Sequence, residues 1–145
     1  MNGELLIGGF LVFTAVFAAA LVCCRSCAWY RTVEDLPFIA VKGVSLPVRA
    51  YRGIDADGWP LKLRGCFGID PDKLPDTPAA GATPVVAPGW FDCFDARKIE
   101  TGLKSGNARA VLAARDDPEG FDRYPAIYPG SRAFMWRQLN EKYVN

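Results

Sequence analysis

An uninterrupted apolar run near the amino terminus constrains this chain of 145 residues more than any other feature. The run occupies residues 5–24, reads LLIGGFLVFTAVFAAALVCC, and contains 20 uncharged residues. As an α-helix it spans about 30 Å, the thickness of a bilayer core, at about 1.5 Å per residue. A cleaved signal peptide is the alternative, but it requires a cationic start and a shorter apolar stretch of about 7–15 residues. We therefore predict a retained transmembrane helix.

The predicted helix has two chemically different sides, one lined by phenylalanines and the other by small residues. The first side carries Phe10, Phe13 and Phe17, and the opposite side carries Gly8, Val12, Ala15 and Ala19. Small residues let helix backbones approach closely in lipid, where hydrophobicity provides no net drive for association. We expect the small side to contact a partner helix, and the phenylalanines to face lipid or a cofactor tail. A chance pattern is the alternative, because these residue types are common in any span.

Aromatic residues mark the carboxyl-terminal end of the span. Trp29 and Tyr30 follow it by about one turn, where amphipathic rings prefer the headgroup layer of a membrane. Residues 1–31 are therefore predicted to form a transmembrane anchor with an interfacial edge. Residues 32–43 show no sustained periodicity and are predicted to be an extended tether. The small extramembrane domain is then predicted to occupy residues 44–145.

Absences in the composition exclude several functional classes. The sequence contains no histidine, which excludes histidine ligation of haem, zinc and copper and every histidine-based acid–base or phosphorelay mechanism. A formal net charge of +1 without a basic cluster argues against nucleic-acid binding. The sequence also has no glycine-rich phosphate loop, serine-centred elbow or thiolate zinc motif. We therefore expect a protein that is not an enzyme and that carries no metal and no cofactor.

The five cysteines form two sets. Cys66 and Cys93 lie within the extramembrane domain, each next to a phenylalanine, and we predict that they form a disulfide. A bridge that closes a loop of this length stabilises a domain by about 3–4 kcal/mol. Two buried free thiols are the alternative. Cys23, Cys24 and Cys27 form a CCxxC cluster at the membrane edge, for which inert thiols, acylation and a redox or metal role all remain open.

Alternating patterns and turn residues predict the strands of the domain. One hairpin is predicted over 44–54 and 61–67, and a second over 123–128 and 132–139, with Pro-Gly in the turn. Residues 108–113 are predicted to form a further strand.

A single short helix is predicted between the two hairpins. A proline-rich loop over 70–89 precedes it, Asp95 has the character of its N-cap, and Gly106 is placed to end it. We predict an α+β domain in which an antiparallel sheet of about four or five strands packs against this helix.

Two stretches of sequence carry a resemblance to a known family. They are GIDADGWPLKLRGCF, residues 53–67, and VAPGWFDCFDARKI, residues 86–99. Through them the chain resembles an uncharacterised family of small single-span membrane proteins from alphaproteobacteria, with an APGWFDCFDA-type motif. The resemblance implies that Cys66 and Cys93 are a structural pair in a periplasmic domain, anchored in the bacterial inner membrane. It implies no activity.

Two signals conflict over the orientation of the domain. The span has no basic residue before it, whereas Arg25 and Arg31 follow it, which favours a cytoplasmic domain by the positive-inside rule. A disulfide requires an oxidising compartment instead. Because two arginines give only a weak bias, we predict a cytoplasmic amino terminus and a periplasmic domain.

A single span, a small-residue side and a domain without evident chemistry indicate binding rather than catalysis. The leading hypothesis is an accessory or assembly subunit of a larger integral membrane complex, surrounded by lipid. The kind of bacterium that the resemblance implies favours an energy-transducing complex, respiratory or photosynthetic. The alternative is a free-standing, membrane-tethered periplasmic protein that binds a ligand or a peptide.

Overall fold

A computed structural model of the chain describes residues 2–26, 29–76 and 78–143. The chain divides into two compact units, Met1–Tyr30 and Arg31–Asn145. The first unit contains helix α1, Gly3–Ser26. Its stretch Gly3–Cys24 is long and apolar enough to cross a membrane, and the most apolar 18 residues of this stretch include no buried residue. The hydroxyl of Thr14 donates to the carbonyl of Phe10 at 2.8 Å, so this polar group is satisfied within the helix.

The second unit is an antiparallel sheet, which has seven strands among the described residues. The strands are β1 (Arg31–Glu34), β2 (Phe38–Val41), β3 (Val44–Asp55), β4 (Arg64–Ile69), β5 (Arg109–Ala110), β6 (Phe121–Ile127) and β7 (Arg132–Leu139). Their order is β1-β3-β4-β7-β6-β5, and β2 pairs separately with β3. The predicted class, an apolar amino-terminal helix followed by an α+β domain, is confirmed.

The sheet curls because β3 is long and bent. Its 12 residues pair with β2 in the first half and with β1 in the second half. Ala50 has a φ of 50°, and the pairing with β4 shifts register between Arg49 and Arg52. An irregularity of this kind bends a strand and increases its twist. The turn after β2 therefore reaches the segment beyond β5, where the N–H of Lys42 donates to the carbonyl of Ala113 at 2.7 Å.

The main hydrophobic core is enclosed by this curl and draws side chains from both ends of the sheet. Within it, Tyr51 is 2% exposed and stacks on Phe67 with the ring centroids 5.7 Å apart. The Tyr51 ring crosses the paired Gly53 and Gly65. A Cβ atom would lie 2.6 Å from Cε1 of Tyr51 at Gly53 and 2.9 Å from its hydroxyl at Gly65. The ring occupies the space that any larger residue would need at either position.

The other face of the central strands carries an aromatic cluster, because successive residues of a strand point to opposite faces. Trp136 on β7 is fully buried and stacks on Tyr124 of β6, with centroids 6.2 Å apart. Phe94, from the segment that precedes the second helix, meets Phe134 and Trp136 edge-on at 6.2 and 6.4 Å. Both faces of β7 are therefore covered by apolar side chains.

Helix α2, Ala96–Ser105, begins and ends where the sequence predicts. The carboxylate of Asp95 accepts hydrogen bonds from the N–H groups of Arg97 and Lys98 at 3.1 and 3.2 Å, which is N-cap geometry. Gly106 ends the helix with a φ of 81°, a left-handed conformation that glycine adopts without strain. Ile99 is 1% exposed and fixes the buried side of the helix.

The predicted tether is corrected by the structure. Residues 32–43 contain nearly all of β1 and the whole of β2, and both strands pair with β3. The domain therefore begins at Arg31 rather than at residue 44, and the two extra strands explain why the sheet exceeds the four or five strands expected. The segment lacks a periodicity of its own because each strand has only four residues; β2 pairs with the adjacent start of β3, and β1 pairs with the far end of β3.

Candidate functional site

A groove of about 1000 Å³ lies between α2 and the strands β3, β4 and β7. This volume is at the upper end of the range of ligand-binding clefts, about 300–1000 Å³. The sheet side is formed by the face that also carries the aromatic cluster, and α2 forms the facing wall.

Antiparallel register places two arginines on either side of one glycine in this groove. Arg49 on β3 pairs with Gly68 on β4, and Gly68 pairs with Arg132 on β7. Directly opposed residues share a face, so both arginines line the groove from strands that lie roughly 10 Å apart, at about 4.8 Å per strand step. Gly68 leaves room between them: a Cβ atom built there would lie 3.3 Å from Nη2 of Arg49.

Two aromatic rings position the guanidinium of Arg132. Its central carbon lies 5.7 Å from the ring centroid of Phe134 and 5.9 Å from that of Tyr128, which are cation–π distances. The hydroxyl of Tyr128 donates to the carbonyl of Lys98 on α2 at 3.2 Å. Burial raises the pKa of Tyr128 above its ordinary value, so the hydroxyl remains a donor well above neutral pH. Tyr128 thus links the position of Arg132 to α2.

The groove carries an excess of positive charge. Its charged lining consists of Arg49, Arg52, Arg97, Lys98 and Arg132 with Asp92 and Asp95. Both carboxylates already have partners, since Asp92 lies 3.5 Å from Arg52 and Asp95 caps α2. Within the described part of the chain, none of the other four basic groups forms an ion pair.

A disulfide joins the sheet to the segment that leads into α2. Cys66 on β4 and Cys93 are bonded, with their Cα atoms 6.3 Å apart. Cys93 precedes the N-cap residue Asp95 by two positions, so the bond holds the start of α2 against β4. Both cysteines line the groove, which makes the disulfide part of its framework.

Arg64 supports the same segment from inside the protein. It is 3% exposed, and its guanidinium donates to the carbonyls of Val85 at 2.9 Å and Val86 at 3.0 Å. The same group also donates to the carbonyls of Leu61 and Leu63. Because a buried guanidinium needs hydrogen-bond acceptors, these bonds tie the irregular loop that carries Val85 and Val86 to β4.

The residues that the sequence predicts for the membrane interior lie exposed on α1. These are Gly8, Val12, Ala15 and Ala19, together with Phe10, Phe13 and Phe17. The rings of Phe13 and Phe17 stack with centroids 6.1 Å apart. A role of the small side in helix association stays a prediction.

The residues predicted for the membrane edge follow α1. Trp29 is exposed and Tyr30 is half-buried, and their interfacial role also stays a prediction. Cys23 and Cys24 are exposed free thiols. Cys27, the third member of the CCxxC cluster, lies outside the described residues.

The groove was missed by the sequence analysis. Arg49, Gly68 and Arg132 are widely separated in the chain and form no motif, and only strand register brings them together. The available signal was that each predicted hairpin contains an arginine in a strand, Arg49 in the first and Arg132 in the second. This signal does not show that the two strands both pair with β4. Elsewhere, the described residues include no group of three or more cysteine or acidic residues able to hold a metal ion.

Comparison with known protein families gives a match. A family described as a family of unknown function (DUF6446) matches residues 36–144, which include every residue of the groove named above. No curated protein and no solved structure matches the chain. Since the matched residues make up most of the chain, the protein belongs to the family of unknown function DUF6446.

Proposed function

We propose that this protein is a non-catalytic, membrane-tethered binding protein whose extramembrane domain holds a ligand in the groove between α2 and the sheet. The observation that carries the proposal is the groove itself, whose positive groups outnumber its carboxylates and mostly have no ion-pair partner in the described part of the chain. A disulfide and an N-capped helix hold its walls in place. A rigid, concave and incompletely neutralised surface is typical of a binding site.

We place the domain in the periplasm, with α1 crossing the bacterial inner membrane once. The disulfide supports this orientation, because such bonds persist in oxidising compartments. The length and apolarity of α1 support the anchoring. Protease treatment of intact spheroplasts should digest the domain, and full protection would reverse the orientation.

Native mass spectrometry of the full chain, extracted from its own membranes in a mild detergent, tests the binding function. We expect a monomer that carries additional bound mass. The matched variant is Thr101→Trp, because Thr101 is an exposed groove residue on α2 and the larger ring fills the groove without changing its charge. The variant should lose the bound mass. A wild-type protein without bound mass, or a variant that retains it, would contradict the proposal.

A second candidate function is an accessory subunit of a larger, energy-transducing membrane complex. The small-residue side of α1 favours it, since Gly8, Ala15 and Ala19 let a partner helix approach the backbone closely. Mild extraction should then recover a stoichiometric large complex. Ala15→Leu should weaken that recovery and Phe13→Leu should change it little. Recovery of the wild-type protein as a monomer would exclude this candidate.

A further inference from the structure

We infer that the ligand of the groove is an acidic polypeptide segment, whose carboxylates pair with Arg49 and Arg132 on the sheet and with Arg97 and Lys98 on α2. The inference rests on the proposed binding function and specifies its ligand. It is drawn from the placement of charge in the groove, from the way the guanidinium groups are held, and from the size of the space between them.

The charge placement calls for an anionic partner. Four basic groups face one cleft, and the two carboxylates beside them are committed to Arg52 and to the N-cap of α2. Like charges held in one concave surface repel each other, and an anion that enters removes this repulsion and gains charge-assisted hydrogen bonds. The free protein therefore lacks counter-charges that a ligand can provide.

The guanidinium of Arg132 is packed before any ligand arrives. Arg132 lies against Tyr128 and Phe134, and Arg49 lies over the bare backbone of Gly68. A group that is already ordered loses less side-chain entropy on binding. A guanidinium also presents paired N–H donors that match the two oxygens of a carboxylate.

The distribution of the charges favours a chain over a compact anion. Arg49 and Arg132 lie on the sheet side, whereas Arg97 and Lys98 lie at the start of α2, on the facing wall. A single small anion cannot satisfy both walls of a space of about 1000 Å³. An extended peptide can present several carboxylates to both walls, and its aliphatic side-chain stems can cover the Cys66–Cys93 disulfide and Phe134, which also line the groove.

Fluorescence anisotropy with labelled hexaglutamate and the full chain in non-ionic detergent tests the inference. We expect saturable binding that weakens as salt is raised. Arg49→Gln and Arg132→Gln should each raise the dissociation constant about tenfold or more, as expected for loss of a charge-assisted hydrogen bond. The matched control is Arg115→Gln, an exposed arginine outside the groove without an ion pair in the described chain, which should change it less than about twofold.

Three outcomes of this assay would overturn the inference. They are no binding of hexaglutamate by the wild type, an equal loss in Arg115→Gln, and displacement by inorganic tripolyphosphate at lower concentration than by unlabelled hexaglutamate. The first outcome would show that the groove does not bind an acidic peptide, and the second that binding is not specific to the groove. The third would indicate that the ligand is a compact polyanion. If Thr101→Trp removes the native bound mass while Arg49→Gln and Arg132→Gln retain it, the proposed binding function stands and the acidic ligand is wrong.

Discussion

Removal of the Cys66–Cys93 disulfide should lower the stability of the domain by an amount that follows from the length of its loop. The bond closes a loop with a sequence separation of 27. The loss of chain entropy in the unfolded state for a loop of this length corresponds to about 3.5 kcal/mol. For a domain of this size the melting temperature should fall by roughly 10–20 °C.

The measurement is urea denaturation of the full chain in non-ionic detergent, comparing the wild type with the double variant Cys66→Ala/Cys93→Ala. Trp136 is fully buried, so its fluorescence reports the unfolding of the domain. The midpoint should fall by roughly 1.5–3 M urea if the slope is that of a small domain. The matched control is Cys23→Ala/Cys24→Ala, which removes two exposed free thiols and should leave the midpoint unchanged.

The structure also predicts where the effect is felt first. Because Cys93 lies two residues before the N-cap of α2, amide exchange in the first turn of α2 should rise more in the double variant than exchange in β6 and β7. The reasoning would be refuted if the free energy of unfolding fell by less than about 1 kcal/mol in the double variant. It would also be refuted if Cys66 and Cys93 were both fully labelled by a thiol reagent in denatured, unreduced wild-type protein.

Three further predictions concern the glycine that faces Tyr51, the buried Tyr51 hydroxyl and the N-cap of α2, and each is tested in the same urea assay. Gly65→Ala should lower the free energy of unfolding by about 1–3 kcal/mol, because its Cβ atom would lie 2.9 Å from the Tyr51 hydroxyl. The control Gly89→Ala should lower it by less than about 0.5 kcal/mol, because a Cβ atom there meets nothing within 4 Å. Equal losses in the two variants would contradict the contact with Tyr51. Burial, assisted by the charge of Asp55, raises the pKa of Tyr51 to about 12, so deprotonation is disfavoured in the folded state. The contribution of protonated Tyr51 to the free energy of unfolding should be complete below pH 10 and should decline by about 2–3 kcal/mol between pH 10 and 12. Tyr51→Phe should remove this part of the loss of stability. An identical pH dependence of stability in the wild type and in Tyr51→Phe would contradict the prediction. Asp95→Ala should cost about 1 kcal/mol and increase amide exchange of the first α2 turn, and unchanged exchange there would deny the capping role.

Local signals predicted those elements whose defining residues lie together in the chain. The apolar run predicted α1 because its length alone matches a bilayer. Asp95 and Gly106 predicted both ends of α2, since a cap acts on backbone groups within one turn. The Pro-Gly turn before β7 predicted the β6–β7 hairpin, because the turn itself sets which residues pair.

Other elements were not predicted because their own residues carry too little signal. β1 and β2 have four residues each, too few to show alternation, and both are strands only because successive segments of β3 offer them hydrogen bonds. Ala50 gave no sign that β3 bends there, although this bend allows one strand to serve both neighbours.

The sequence by itself determined the apolar helix, the α+β class of the domain, the position of α2 and two cysteines able to pair. Each of these follows from contiguous residues, through hydrophobic length, periodicity, capping or residue type. The tertiary structure alone decided the groove, because a β-sheet pairs residues by register and not by distance along the chain. Arg49 and Arg132 become neighbours across Gly68 only when β4 lies between β3 and β7, and that order results from packing of the whole domain.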